Sequence, residues 1–186
     1  MKYYGDDTEE LWDIYDGDRN LTGRTHRRGD PLSAGEYHMV VNVSVFNEEG
    51  KLLLQKRNQW KKKYPGFWDL SAGGAAQMGD NSRHAAEREV KEEIGLEIDL
   101  SMERPVFSIN FKEGFADYYF ITLPEEQLKN LRPQPEEVEK LEWFTKDELD
   151  DLISRGLFVP YVFADHIFEI YANKNSRTCC KEKRVK

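Results

Sequence analysis

GAAQMGDNSRHAAEREVKEEIGL, residues Gly74–Leu96, decides how the rest of the chain is read. Its second half crowds Glu87, Glu89, Glu92 and Glu93 around Arg88 and Lys91. The segment reads as a helix from about Asn81 to Ile94, with Gly95 as its C-terminal stop. At roughly 100° per residue, Ala86, Val90 and Ile94 form one apolar stripe suited to a core. Glu93, Glu89 and Glu92 follow in that order around the adjacent arc, and Arg88 sits beside Glu92. Carboxylates three and four residues apart repel one another, so this arc needs a positive partner. Arg88 and Lys91 supply one on an ordinary solvated face. A hard divalent ion such as Mg²⁺ or Mn²⁺, which selects oxygen clusters, is the other candidate. Spacing within the helix leaves both open.

The chain of 186 residues has 39% hydrophobic and 33% charged residues, which fits one folded domain with terminal extensions. A net charge of −8 argues against a nucleic-acid polymer as partner, since that binding needs clustered cations. An anionic small molecule stays compatible, because a few local cations reverse the field inside a pocket. Cys179 and Cys180 are adjacent and close no loop, so a reducing cytoplasm is expected. MKYYGDDTEELWD is acidic and lacks the apolar centre of a signal peptide. No apolar run approaches a membrane span.

Along the chain, ELWDIY (Glu10–Tyr15) predicts a short strand, then DGDRNLTG a turn, then RTHRRGD (Arg24–Asp30) a basic cluster. YHMVVNVSVF (Tyr37–Phe46) alternates as a strand, with Val41, Val43 and Val45 on one face. NEEG turns the chain into KLLLQKR (Lys51–Arg57), which predicts a hairpin. NQWKKKYPGFW is a loop, and DLSAGGAA (Asp69–Ala76) a short element ending in paired glycines. After the helix, PVFSINF, FADYYFITL (Phe115–Leu123) and VEKLEWF (Val138–Phe144) read as strands, and KDELDDLIS as a helix opened by Thr145 or Asp147. Phe158–Asn173 reads as a final amphipathic helix, followed by a polar, mobile tail. This order predicts an α+β or α/β fold.

The stretch from Gly74 to Leu96 resembles the Nudix box. Gly74, Arg88, Glu89, Val90, Glu92, Glu93, Gly95 and Leu96 match its pattern at the right spacing, and Asp80 stands where the pattern has glutamate. The flanks LLLQKR, PGFWDLSAGG and EEVEKLEWFTKDEL also resemble that family. The resemblance implies an α+β fold, an α/β/α sandwich around a mixed sheet, with the Nudix domain at 36–174, an N-terminal extension of short strands at 1–35 and a tail at 175–186. It implies a MutT-like pyrophosphatase that hydrolyses a small-molecule diphosphate, such as a nucleotide derivative, with Mg²⁺ or Mn²⁺. By the same resemblance Glu89, Glu92 and Glu93 are metal ligands, with the Gly74 carbonyl as an extra one. Arg88 orients Glu92 or Asp80 through a charge-assisted bond, and Glu89 is the base. Glu136, Glu137 and Glu139, on a later segment, are the other base candidates. No membrane is implied, and a homodimer is compatible.

EYHMVVNVSVFNEEGKLLLQKR is also similar to isopentenyl-diphosphate isomerases. Counted from Trp68, the catalytic cysteine and metal-binding histidine of that enzyme fall at Gly73 and Ala75, which supply no thiolate, proton or ligand. His38 matches a histidine of that enzyme, though a lone strand histidine is expected to be a structural hydrogen-bonder. A binding module that kept the fold and lost catalysis is a further alternative, to which only Asp80 leans. For the substrate, Arg57 is placed to meet a phosphate, and Lys61, with Lys62 and Lys63, to guide an anion. Trp60, Phe67 and Trp68 are the aromatics able to stack on a base, with Trp68 taken as the candidate although its place at a strand start favours the core.

Overall fold

The computed structural model describes residues 10–179. Its centre is β3 (His38–Phe46), whose alternating residues serve two layers at once. Val41, Val43 and Val45 pack under α1 (Ser82–Ile94) together with Ala86, Val90 and Ile94, the stripe expected from the helical period. Phe46 faces the opposite layer, with Leu52, Leu54, Phe120, Leu149 and Ile167. The result is an α+β sandwich with a mixed seven-stranded sheet between helical layers.

β3 runs parallel to β8 (Gly114–Thr122) in unbroken register from His38↔Gly114 to Phe46↔Thr122, and β7 (Phe107–Phe111) pairs antiparallel on the outside of β8. The other flank departs from the predicted hairpin. β3 and β4 (Leu52–Arg57) share a turn but pair only at Phe46↔Leu52. Beyond that point they part, and the chain returns between them. β5 (Trp68–Asp69) pairs with β4, and β6 (Ala72–Ala75) pairs with β3 from Val43↔Ala72 to Val40↔Ala75. β9 (Val138–Phe144) takes the far edge of β4. Ser71 sits where the strands divide. Its hydroxyl accepts from Val45 N–H at 2.8 Å and donates to Leu53 C=O at 2.6 Å, so one side chain replaces the missing ladder bonds.

A short α2 (Glu125–Leu128) precedes β9, and α3 (Lys146–Ser154) opens with a capping box between Thr145 and Glu148. The last helix is α4 (Ile167–Cys179), entered through a 3-10 turn at Ala164–His166. It begins later than the predicted Phe158, because Phe158 bridges Trp68 and Val159 N–H donates to Trp68 C=O at 2.9 Å. Pro160, with no N–H, holds the segment extended. The helix also runs through residues assigned above to the tail, and Cys180 lies outside the described residues.

β1 (Leu11–Tyr15) pairs with β2 (Leu21–Arg27), which takes the residues read above as turn and basic cluster. Tyr15 and Tyr37 exchange backbone bonds at 2.8 and 3.1 Å, fixing this hairpin to the main sheet. Trp12 stacks on His38 with centroids 4.3 Å apart and planes 12° from parallel. His38 packs through its ring, and its Nδ1 is buried with no hydrogen-bond partner. Burial pulls the imidazole down to about 4; Glu113 and a hydrogen bond to the Met39 backbone oppose that shift, while His26 and Lys63 add to it. A folded-state pKa below the unfolded one means that the neutral ring favours folding above about pH 6.5, and that this contribution disappears as pH falls toward about 4. Denaturant unfolding at pH 7 and pH 4.5 is expected to show a smaller acid loss in His38→Gln than in the parent chain; equal losses would refute the assignment.

Candidate active site

α1 is fixed at both ends by its own sequence. Asn81 caps the start, its Oδ1 accepting from His84 N–H at 3.0 Å. Gly95 closes the end at φ 75°, a left-handed conformation that glycine adopts at low cost, with its N–H donating to Lys91 C=O. Between these caps the helix rolls the carboxylate arc toward β6 and β4. Glu93, next to the apolar stripe, is 4% exposed, Glu89 is 9% exposed, and the Glu92 side chain is about half exposed.

Each carboxylate has a distinct anchor. Glu93 Oε2 accepts from Gln55 Nε2 at 2.8 Å and from the Gly73 N–H at 2.9 Å. Glu89 lies against Gly74, where any Cβ would overlap its carboxyl group. Arg88 binds the rest. Its NH1 donates to Glu89 Oε1 at 2.8 Å and to Glu92 Oε2 at 3.0 Å, its Nε to Asp80 Oδ2 at 3.2 Å, and its NH2 to the Ala75 carbonyl at 3.0 Å. The expected orienting role of Arg88 toward Glu92 or Asp80 thus corresponds to contacts with both. The shorter Asp80 side chain still reaches it and also caps Gln77 N–H at 3.1 Å.

A further carboxylate arrives from the segment before β9. Glu137 lies beside Glu93 and pairs with Lys61 at 2.6 Å. Its neighbours make other contacts. Glu139 pairs with Lys56 at 2.7 Å, and Glu136 uses its carbonyl to accept from Trp60 Nε1 at 3.1 Å. Gln55 escaped notice in the sequence, although alternation along β4 with Leu53 was the signal that it faces α1.

Burial pushes the Glu89 carboxyl up to about 7 against the opposing pull of Arg88. Glu93 is pushed up by burial and then by Glu89 and Glu137. For Glu137 burial also acts upward, but Lys61 outweighs it and holds the group below its usual value. The cradle therefore concentrates acid in a desolvated place, with Arg88 bound to Glu89 and Glu92, Lys61 bound to Glu137, and Arg28 adding positive charge near Glu137. Among the described residues, no three His, Cys, Asp or Glu side chains already surround a single point. Arg88 NH1 stands between Glu89 and Glu92.

The proposed substrate side chains are placed differently from expectation. Arg57 is not free for phosphate: it donates to Asp69 Oδ2 at 2.8 Å and to the Lys63 carbonyl at 3.1 Å, and Asp69 in turn accepts from Tyr161 Oη at 2.6 Å. Trp68 is buried behind the sheet, packing edge-on to Phe144 at 4.7 Å with Lys140 Nζ 5.8 Å from its ring centroid. Lys61 is at the site but is engaged by Glu137. Lys62 and Lys63 are exposed and have no ion pair among the described residues. No described helix is long and apolar enough to cross a membrane.

The same fold recurs in known proteins. The NUDIX domain model matches residues 36–162. A Nudix hydrolase of Listeria monocytogenes is 50% identical over 169 residues, covering 91% of this chain and 98% of that protein. An isopentenyl-diphosphate Delta-isomerase of Cutibacterium acnes is 28% identical, covering 75% of each chain. The crystal structure of DR0079 from Deinococcus radiodurans superposes with a TM-score of 0.68 at 24% identity, covering 87% of this chain and 99% of that one. With a family model spanning most of its length and a half-identical hydrolase relative, the chain belongs to the Nudix family of pyrophosphohydrolases.

Proposed function

We propose that the protein hydrolyses a diphosphate linkage in a nucleoside diphosphate derivative or similar small molecule, using Mg²⁺ or Mn²⁺ held by Glu89, Glu92 and Glu93 with the Gly74 carbonyl. The observation that carries this reading is the cradle at Gly74: a missing Cβ admits the Glu89 carboxyl beside buried Glu93. All the donors are hard oxygens, which fits those ions. The chemistry a divalent cation supplies in such a cradle is neutralisation of phosphate oxygens and a more acidic water.

The chain's own residues do the rest. Glu89, the buried carboxylate set against Gly74 and oriented by Arg88, accepts the proton of the attacking water. Arg88 fixes the rotamers of Glu89 and Glu92. Gln55 and the Gly73 N–H aim Glu93. The likeness to isomerases does not extend to chemistry, because Gly73 and Ala75 leave the relevant positions without a thiol or an imidazole.

A panel of nucleoside diphosphate derivatives with Mg²⁺ or Mn²⁺, followed by phosphate analysis, tests the proposal. Turnover of at least one compound is expected, with none under chelation. Glu92→Gln is expected to lower kcat/KM on the order of 10²-fold, the usual cost of one electrostatic contact made to the transition state. Tight binding of one compound without turnover would instead identify a sensor, and unchanged turnover in Glu92→Gln would remove that residue from the ligand set.

A further inference from the structure

We infer that Trp60 is the stacking platform for a planar heterocyclic group on the substrate, an assignment that rests on the diphosphate reading above. Trp60 is 73% exposed, well above Tyr64 at 42% and Phe111 at 38%. It is nevertheless held. Its indole Nε1–H donates to the Glu136 carbonyl at 3.1 Å. The loop that carries it is pinned to the same segment by Asn58, whose backbone N–H donates to the Glu137 carbonyl at 2.9 Å and whose Nδ2 donates to the Pro135 carbonyl at 2.8 Å. Asn58 is buried, and its Oδ1 accepts from Gln59 N–H at 2.7 Å, so the tether is rigid up to the residue before Trp60.

The position of this ring relative to the cradle follows from the next residue. Lys61 bonds Glu137 at 2.6 Å, and Glu137 lies beside Glu93. Trp60 therefore stands one residue from a direct link to the carboxylates. Lys62 and Lys63, exposed and without ion pairs among the described residues, follow immediately and suit an anionic ligand. An indole with one fixed edge and an open face favours a flat partner. A planar ring gains its stacking energy from one face, whereas an alkyl chain needs apolar walls on several sides, which Trp60 alone does not provide. Trp68, the stacking candidate from sequence, is buried, and Phe67 is half-buried against Tyr64, so the exposed ring of this loop region is that of Trp60.

Two nonhydrolysable probes separate the platform from the cradle: methylene diphosphonate, and α,β-methylene-ADP, which adds adenosine to the same group. Their dissociation constants would be measured by calorimetry with Mg²⁺ in the parent chain, Trp60→Ala and Trp60→Phe. Trp60→Ala is expected to weaken α,β-methylene-ADP about tenfold to a hundredfold, the usual range for one base–aromatic stack, and to leave methylene diphosphonate within about twofold. Trp60→Phe keeps a ring face and is expected to retain most of the adenosine gain. Equal weakening of both probes would assign Trp60 a merely structural role and overturn the inference. So would a parent chain that binds both probes alike, which would leave the diphosphate site standing. A parent chain that binds neither probe would overturn the diphosphate reading itself, and the platform with it.

Discussion

Glu93→Gln is expected to lower kcat/KM by about 10³-fold while leaving the fold at least as stable as before. The activity loss follows from removing one anionic oxygen donor from a set that stabilises several kcal/mol of transition-state charge, at about 1.4 kcal/mol per tenfold. The stability outcome follows from the surroundings of the side chain. Glu93 is 4% exposed, and its proton affinity is raised by burial, then by Glu89 and Glu137. An ionised carboxylate there is costly without a cation. Glutamine has the same shape, and its carbonyl oxygen can still accept from the Gly73 N–H and from Gln55 Nε2. The thermal midpoint of the variant should therefore equal or exceed that of the parent chain when Mg²⁺ is absent. Mg²⁺ should raise the parent midpoint more than the variant's, since a ligand's stabilisation of the folded state grows with the logarithm of its concentration over its dissociation constant. A variant that keeps full activity, or one that unfolds outright in both conditions, would remove Glu93 from the metal set and make it a structural residue.

Such a split between function and stability explains why part of the site is legible in sequence. Carboxylates in register on a helix leave a solvated face and a ligand both open, and it is Gly74, Arg88 and Gly95 at the spacing of the Nudix box that point to a ligand. The periodicity that places Ala86, Val90 and Ile94 inward also orders Glu93, Glu89 and Glu92 by depth, and their exposures follow that order. The strands of the central sheet are equally readable from alternation, β3 above all.

What sequence does not carry is pairing between distant segments. Glu137 reaches Glu93 only because β9 lies on the far edge of β4, a register that no local pattern encodes. Arg57 looks like an anion ligand until Asp69, on the strand beside it, takes its guanidinium. β2 is missed because LTGRTHR has no apolar alternation; its strand form comes from β1 pairing alongside it. The last helix is misplaced for a related reason: Phe158 has helical periodicity, but its backbone and the adjoining residues are committed to Trp68.

The parting of β3 and β4 is the largest departure from the sequence reading, and Ser71→Ala tests what holds it. An ordinary hairpin would satisfy both strands along their shared edge. Here only Phe46↔Leu52 remains of that edge, and β5 and β6 fill the gap that opens beyond it. Ser71, between those two strands, is 0% exposed. Its hydroxyl serves Val45 N–H on one side and Leu53 C=O on the other. Alanine removes both bonds and leaves two sealed backbone groups without this partner. At ~1–3 kcal/mol for each of the two buried groups left unsatisfied, the expected loss of unfolding free energy is about 2–6 kcal/mol. Urea unfolding should show it as a lower midpoint with an unchanged slope, and hydrogen exchange should show faster opening at the Val45 amide. A loss below about 0.5 kcal/mol, the range of an ordinary surface change, would mean that the strands are held apart by packing alone. The consequence reaches the cradle, because the segment that Ser71 fastens continues directly into Gly73 and Gly74, the backbone against which Glu93 and Glu89 are set.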